Sequence, residues 1–227
     1  MDFQYADLET CSTSTGLVAV IDVLRAFTTA AFALAGGARR VIPVGSIDEA
    51  LAFKRGNPGS LACGEMKGLP PSGFDVGNSP TRLLEMDLQG RTLVQRTSAG
   101  TQGVVRSLAA ERLLAASFVV AQATVRYIQR LAPEQVTFVI TGGSFDGGAE
   151  DLACAQYMEA CLRGIDPDPA PYLERVRTAP DARPFLDPSR PQFPESDLAY
   201  ATDLDRFDFA MPVRREGGLH VIERPAL

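Results

Sequence analysis

The chain has 227 residues, 45% of them apolar and 22% charged, with 28 acidic against 22 basic side chains and a net charge of −6. That length supports a large core, and the composition is that of an ordinary soluble globular protein. The acidic excess argues against a binder of the nucleic-acid backbone, which needs a basic face.

Residues 1–16 are polar and read as a lead-in strand or loop. Leu17-Val18-Ala19-Val20-Ile21 is an unbroken run rich in β-branched residues, the pattern of a strand buried on both faces of a parallel sheet. It ends by delivering Asp22 and Arg25, and an apolar helix over 28–35 stops at Gly36-Gly37. A short strand at 40–44 precedes Ser46-Ile47-Asp48-Glu49, a capping box opening a helix to about Arg55. Ser60 to Cys63 reads as a strand ending in Gly64-Glu65, followed by a loop over 66–78 rich in glycine and proline. Ser79-Pro80 supplies an N-cap and a proline at the first helical position, for a helix through Leu83 and Leu84. The strand Thr92–Thr97 breaks at Ser98-Ala99-Gly100-Thr101, and a helix then carries Val104, Val105 and Leu108 on one face.

Strands at 113–116 and 136–141 flank a helix near 120–131. The second runs into the glycine-rich turn 142–148 and a helix from Ala149-Glu150-Asp151 to Gly164. This alternation predicts a layered α/β/α core over 1–164 with a mostly parallel or mixed sheet. Residues 165–227 are expected to be a proline-rich part of short helices, packing on that core. They close with a hairpin formed by Phe207–Val213 and Leu219–Glu223. No run approaches the ~18 apolar residues of a membrane span, and Met1-Asp2-Phe3-Gln4 lacks a basic, apolar leader, so a cytoplasmic protein is expected. Cys11, Cys63, Cys154 and Cys161 form no paired metal spacing and read as reduced thiols.

Strand ends thus offer Asp22 with Arg25, Glu65, Thr97 with Ser98 and Thr101, and Glu150 with Asp151. In a parallel sheet these ends share one edge, where open α/β sheets bind ligands. Each has a plain alternative: Asp22 as a cap paired with Arg25, Glu150 and Asp151 as first-turn acids complementing the helix dipole. Oxygen ligands without His or Cys suit Mg²⁺, which takes a few carboxylates plus water and substrate phosphate. The turn at 98–103 offers main-chain amides to a phosphate, and Arg25 offers a two-pronged clamp. Together these fit phosphoryl transfer or phosphate-ester hydrolysis. The single histidine, His220, falls in the closing hairpin, which removes histidine-phosphoenzyme and His-ligated two-metal chemistry. No Cys is followed by Arg six residues on, and neither a phosphate-loop nor a dinucleotide glycine motif is present.

Ile21-Asp22-Val23-Leu24-Arg25-Ala26 with Thr28-Thr29, Gly64-Glu65, and Gly73-Phe74-Asp75-Val76-Gly77-Asn78-Ser79-Pro80 together resemble the 2-phosphosulfolactate phosphatase family. Thr97 to Thr101 and Glu150-Asp151 fall where that family's later motifs fall. The resemblance implies a Mg²⁺-dependent phosphatase converting (R)-2-phospho-3-sulfolactate to 3-sulfolactate and phosphate, on the route to coenzyme M. It implies Asp22 and Arg25 as catalytic residues, and Mg²⁺ on some of Asp22, Glu65, Glu150 and Asp151. Phosphate and substrate would be held by Arg25, Thr28, Asp75, Asn78, Ser79, Thr97, Ser98, Gly100 and Thr101. Two departures stand out: Ala99 replaces an asparagine of the family's Thr-Thr-Asn-Gly-Thr, and Met66-Lys67 with two prolines replaces an Arg- and Gly-bearing loop. The expected partner is a small anionic phosphoester, with a homo-oligomer compatible. A non-catalytic anion binder of the same fold, or the same chemistry on another metabolite, are the alternatives.

Overall fold

The computed structural model describes residues 1–142 and 148–225. Nine strands form one mixed sheet: β1 (Asp2–Ala6), β2 (Leu17–Ile21), β3 (Arg40–Pro43), β4 (Leu61–Gly64), β5 (Thr92–Arg96), β6 (Arg112–Ala116), β7 (Gln135–Ile140), β8 (Met211–Glu216) and β9 (Leu219–Ile222). Among the described residues eight α-helices accompany it: α1 (Ala26–Ala35), α2 (Ile47–Gly56), α3 (Pro80–Leu83), α4 (Gly100–Arg106), α5 (Ala121–Leu131), α6 (Ala149–Leu162), α7 (Ala170–Thr178) and α8 (Glu195–Ala201). The glycine-rich turn expected over 142–148 lies, for 143–147, outside the described residues.

The strand order is β1-β7-β2-β6-β8-β9-β3-β5-β4. Two all-parallel blocks, β1-β7-β2-β6 and β3-β5-β4, are joined only through the terminal hairpin, whose strands pair antiparallel with β6 and with β3. The hairpin, expected to pack on the core or to continue it as one domain, lies in the middle of the sheet. Its burial explains this position: Met211, Val213, Val221 and Ile222 are all buried, so the short pair has apolar partners on both flanks.

The pairing also corrects the expectation of one shared parallel edge. Counted through the antiparallel hairpin, β5 runs formally opposite to β2. Sheet twist of roughly 20–25° per strand accumulates to about 100–125° over the five steps between them, which turns opposition into a crossing. Their carboxyl ends consequently meet. Helix α1 lies in the concavity, with nine of its ten residues buried. Its neighbours in one cluster are Val18, Val20, Val41, Leu93, Val104, Val213 and Ile222, drawn from both blocks. A helix apolar on every side is stable only when enclosed in this way. On the opposite face α5 and α6 cover β2, β6 and β7 through Ile21, Leu114, Phe138, Ile128 and Met158, and α7 packs on the outside of α6.

Local signals hold in detail. Ser46 accepts a hydrogen bond from the Glu49 amide, and Ser79 accepts one from the Arg82 amide. Helix α4 ends at Arg106, so Leu108, expected on its apolar face, lies beyond the helix and is 68% exposed. The four cysteines are free and buried. No helix among the described residues is long and apolar enough to cross a membrane.

Candidate active site

The site is built around the turn that follows β2. Asp22 is 5% exposed and holds two elements together: Oδ1 accepts from the Ala26 amide at 2.8 Å, and Oδ2 from the Gly100 amide at 2.8 Å. The carboxylate thus clamps the start of α1 to the start of α4. Gly100 is required there, because a Cβ would come within 2.6 Å of Asp22 Oδ2 and 2.7 Å of the Ala26 Cβ. Burial pushes the Asp22 carboxyl up to about 6; the two amides pull it back, and the nearby Glu65 charge adds to the rise.

Glu65, half-buried at the end of β4, accepts from the Ser98 amide through Oε1 at 2.6 Å and from the Gly68 amide through Oε2 at 2.7 Å. The Ser98 hydroxyl donates to Oε2 at 3.3 Å. Thr97 and Thr101 bond reciprocally: the Thr97 amide donates to Thr101 Oγ1 at 2.8 Å, and the Thr101 amide to Thr97 Oγ1 at 3.1 Å. The amides of Ser98, Gly100 and Thr101, expected to cradle a phosphate, are therefore taken by side chains of the protein. Neutral donors pointed at two carboxylates are what keep those charges tolerable at short range.

Asp151 is engaged on both oxygens. Oδ1 accepts from the Val23 amide at 2.8 Å, and Oδ2 from the amides of Thr141 and Gly142 at 3.2 and 3.0 Å and from the Thr141 hydroxyl at 3.2 Å. It ties the ends of β2 and β7 together, although burial and the charges of Glu150 and Asp22 push its carboxyl well above the usual range. Glu150, its neighbour, differs. It is 2% exposed, and its Oε2 has no hydrogen-bond partner among the described residues. Burial pushes Glu150 up to about 7, with the charges of Asp181 and Asp22 adding to the rise. The four expected metal carboxylates are therefore unequal, and among the described residues no three His, Cys, Asp or Glu side chains form a metal-binding group.

Arg25 does not pair with Asp22. Its Nη1 donates to Asp197 Oδ2 at 2.7 Å and to the Gln192 carbonyl at 3.1 Å. Its guanidinium packs on the rings of Phe185 and Phe193, at 5.0 and 4.8 Å from their centroids. Arg25 also lines a cavity of about 590 Å³, together with Asp75, Asn78, Ser79, Arg82 and Gln192. Within that wall Asp75 is occupied by Lys54 at 2.7 Å and by the Ala62 amide at 2.7 Å, while Asn78 Oδ1 is buried without a partner among the described residues. Thr28, expected at the substrate, instead donates to the Val23 carbonyl at 2.8 Å and lies 2.6 Å from the Ser117 hydroxyl, an interior role.

The structure thus gathers Asp22, Glu65, Ser98, Gly100 and Thr101 on one side of Arg25, and Asp75, Asn78 and Ser79 on the cavity side. Sequence reasoning missed Asp197, Phe185, Phe193 and Arg82. Asp197 sits in Glu195-Ser196-Asp197, which reads as an ordinary acidic first turn, so its burial had no local signal.

An α/β protein with clustered acids beside an arginine-lined cavity belongs to the class of small-molecule enzymes that act on anionic substrates. The family profile described as 2-phosphosulpholactate phosphatase matches residues 3–183. A probable 2-phosphosulfolactate phosphatase of Bacillus subtilis is 34% identical over 206 residues, spanning 90% of each chain. Proteins of the same name from Thermoplasma acidophilum and Thermotoga petrophila are 30% and 41% identical, over 69% and 60% of this chain and 70% and 58% of theirs. The chain belongs to the 2-phosphosulpholactate phosphatase family, a family of phosphoric monoester hydrolases.

Proposed function

We propose that this chain is a Mg²⁺-dependent phosphatase that hydrolyses 2-phosphosulfolactate to sulfolactate and phosphate. The observation that carries the reading is the family match over residues 3–183, which contains Asp22, Arg25, Glu65, Ser98, Gly100 and Glu150 in one span. The donor set suits the metal. Among the described residues Glu150 Oε2 is a buried carboxylate oxygen without a hydrogen-bond partner, and the Asp22 charge lies near enough to raise the Glu150 carboxyl. Mg²⁺ needs only one or two carboxylates when water and substrate phosphate complete its shell. Asp22 and Glu150 are the residues that would hold it, and the ion would supply charge neutralisation at the phosphoryl group and a more acidic water.

The chain's own groups define the rest. Arg25 offers to an oxyanion of the substrate its Nε and Nη2, which bond no described residue. Asp22 keeps the starts of α1 and α4 in register, so that the groups on both helices stay fixed relative to Arg25. Glu65 orders the 65–68 turn against Ser98, placing the Ser98 hydroxyl at the solvent-facing rim. On the cavity side, Asn78 Oδ1 is an acceptor suited to a hydroxyl or acid proton of the ligand.

The test is phosphate release from 2-phosphosulfolactate with Mg²⁺ and with EDTA. Turnover only with Mg²⁺, abolished in Asp22→Ala with the circular dichroism spectrum retained, is the expected outcome. Full activity in EDTA would remove the metal from the reading. Release from another 2-hydroxyacid phosphate alone would move the substrate, and calorimetric binding without release would leave an anion-binding protein.

A further inference from the structure

The residues that grip Arg25 come from Phe185 to Asp197, beyond the family match, which ends at residue 183. This segment includes the end of a 3-10 helix at Pro180–Leu186 and the first turn of α8. Asp197 is fully buried and makes two contacts: Oδ2 pairs with Arg25, and Oδ1 accepts from the Thr81 amide at 2.9 Å, near the start of α3. The adjacent Ser196 hydroxyl lies 2.7 Å from that of Thr81. One carboxylate therefore links three parts of the site: the turn after β2, helix α3 that carries Arg82 beside the cavity, and the C-terminal segment.

The form of this grip is informative. All hydrogen bonds from Arg25 to described residues leave from Nη1, to Asp197 and to the Gln192 carbonyl. Its Nε and Nη2 bond no described residue, yet the side chain is only 4% exposed and lines the cavity. A guanidinium binds an oxyanion best through two parallel N–H bonds in a fixed plane. Asp197 holds one arm, Phe185 and Phe193 restrict the plane of the group, and the other two donors remain for a ligand. Pro191 and Gln192 of the same segment wall the cavity that this fork faces.

We propose that Asp197 is a positioning residue: it aims Arg25 as an open fork into the cavity, and the segment 185–197 thereby sets how tightly the site holds its anion. The proposal rests on the reading of Arg25 as the anion-binding group, and its readout does not require turnover. The probe is inorganic phosphate, measured by calorimetry on the full chain, alongside KM and kcat for 2-phosphosulfolactate. In Asp197→Asn, phosphate affinity is expected to fall by about tenfold, as for loss of a hydrogen bond to a charged group. KM should rise more than kcat falls, and Asp197→Glu should recover part of the loss. In an Arg25→Met background, Asp197→Asn should change phosphate affinity no further, because its effect runs through the guanidinium.

Wild-type phosphate affinity in Asp197→Asn, or equal losses with and without Arg25, would overturn the proposal. If Asp197→Asn lacks a cooperative unfolding transition, Phe193→Leu replaces it. That variant keeps the ion pair but frees the plane of the group, so a weaker loss in the same direction is expected, and unchanged phosphate binding refutes the idea. Failure of the substrate assignment reads differently: phosphate binding would still respond to Asp197 while 2-phosphosulfolactate would not be turned over.

Discussion

Replacing Glu150 with Gln should stabilise the metal-free protein, and do so far more at pH 8 than at pH 5. The Glu150 carboxyl is raised from its ordinary 4.5 to about 7, first by burial and then by the charges of Asp181 and Asp22. An acid with a raised folded pKa binds more protons in the native than in the unfolded state between those two values, so its contribution to stability falls as pH rises through that window. At 1.36 kcal/mol per unit, the raised carboxyl lowers folding stability by about 1 kcal/mol at pH 5 and about 3 kcal/mol at pH 8. Gln removes that cost at both values, so the gain should grow by about 2 kcal/mol from acid to base. The uncharged amide is itself unpartnered, but equally so at each pH, and it cancels in the difference. His220, lowered by burial and by Arg215, acts in the opposite sense near its ordinary 6.5, but it is common to both proteins and cancels too.

The assay is urea unfolding in EDTA at both pH values for the two proteins. With slopes of a few kcal/mol per molar, a 2 kcal/mol change moves the midpoint by about 1 M. A gain that is equal at pH 5 and pH 8, or a loss at pH 8, would refute the view that Glu150 is a desolvated charge whose Oε2 has no partner among the described residues.

Three further outcomes follow from the same geometry. Mg²⁺ should raise the unfolding midpoint of the wild type at pH 8 more than at pH 5, and should do so weakly in Glu150→Gln; an equal shift in both proteins would place the ion elsewhere. Gly100→Ala pushes a methyl to 2.6 Å from Asp22 Oδ2 and displaces the amide it accepts from; a loss of about 2–4 kcal/mol is expected by chemical denaturation, with phosphate release lost as well. Ala99→Asn places a capping side chain at the N-cap of α4, which has no side-chain cap. The first two amides of that helix already donate to Asp22 and Thr97, so the gain in calorimetric stability should stay below about 1 kcal/mol.

The parts of the fold legible in the sequence are those written in local chemistry. Leu17–Ile21 announces a doubly covered strand, and the caps Ser46 and Ser79 begin helices where they stand. Parallel pairing leaves no such trace, because its partners are distant and no turn type fixes their register. Nothing in Met211–Ile222 distinguishes a hairpin closing the chain from one wedged between two parallel blocks; only the burial of both flanks decides it. The site divides in the same way. Strand ends flagged Asp22, Arg25, Glu65 and Glu150, whereas the partner of Arg25 lies 172 residues away in a helix that looks solvated from its composition.

Among the described residues Asp22, Glu65 and Asp151 each receive at least two backbone amides, and Glu150 Oε2 receives none. That difference orders the consequences of losing each one. Removing Asp151 leaves the amides of Val23, Thr141 and Gly142 buried without an acceptor, at about 1–3 kcal/mol for each unmet group. Asp151→Ala should therefore unfold at markedly lower urea, with any fall in activity explained by the population unfolded. The backbone hydrogen bond that Glu150 takes comes from its own amide and ties no second element, so a variant there should keep or raise stability while losing affinity for the cation. Adjacent acids at the start of one helix would then fail in opposite ways, one through the scaffold and one through the ion. If both variants were destabilised alike, the division of labour between them would be wrong, and Glu150 would have a partner that its buried oxygen lacks here.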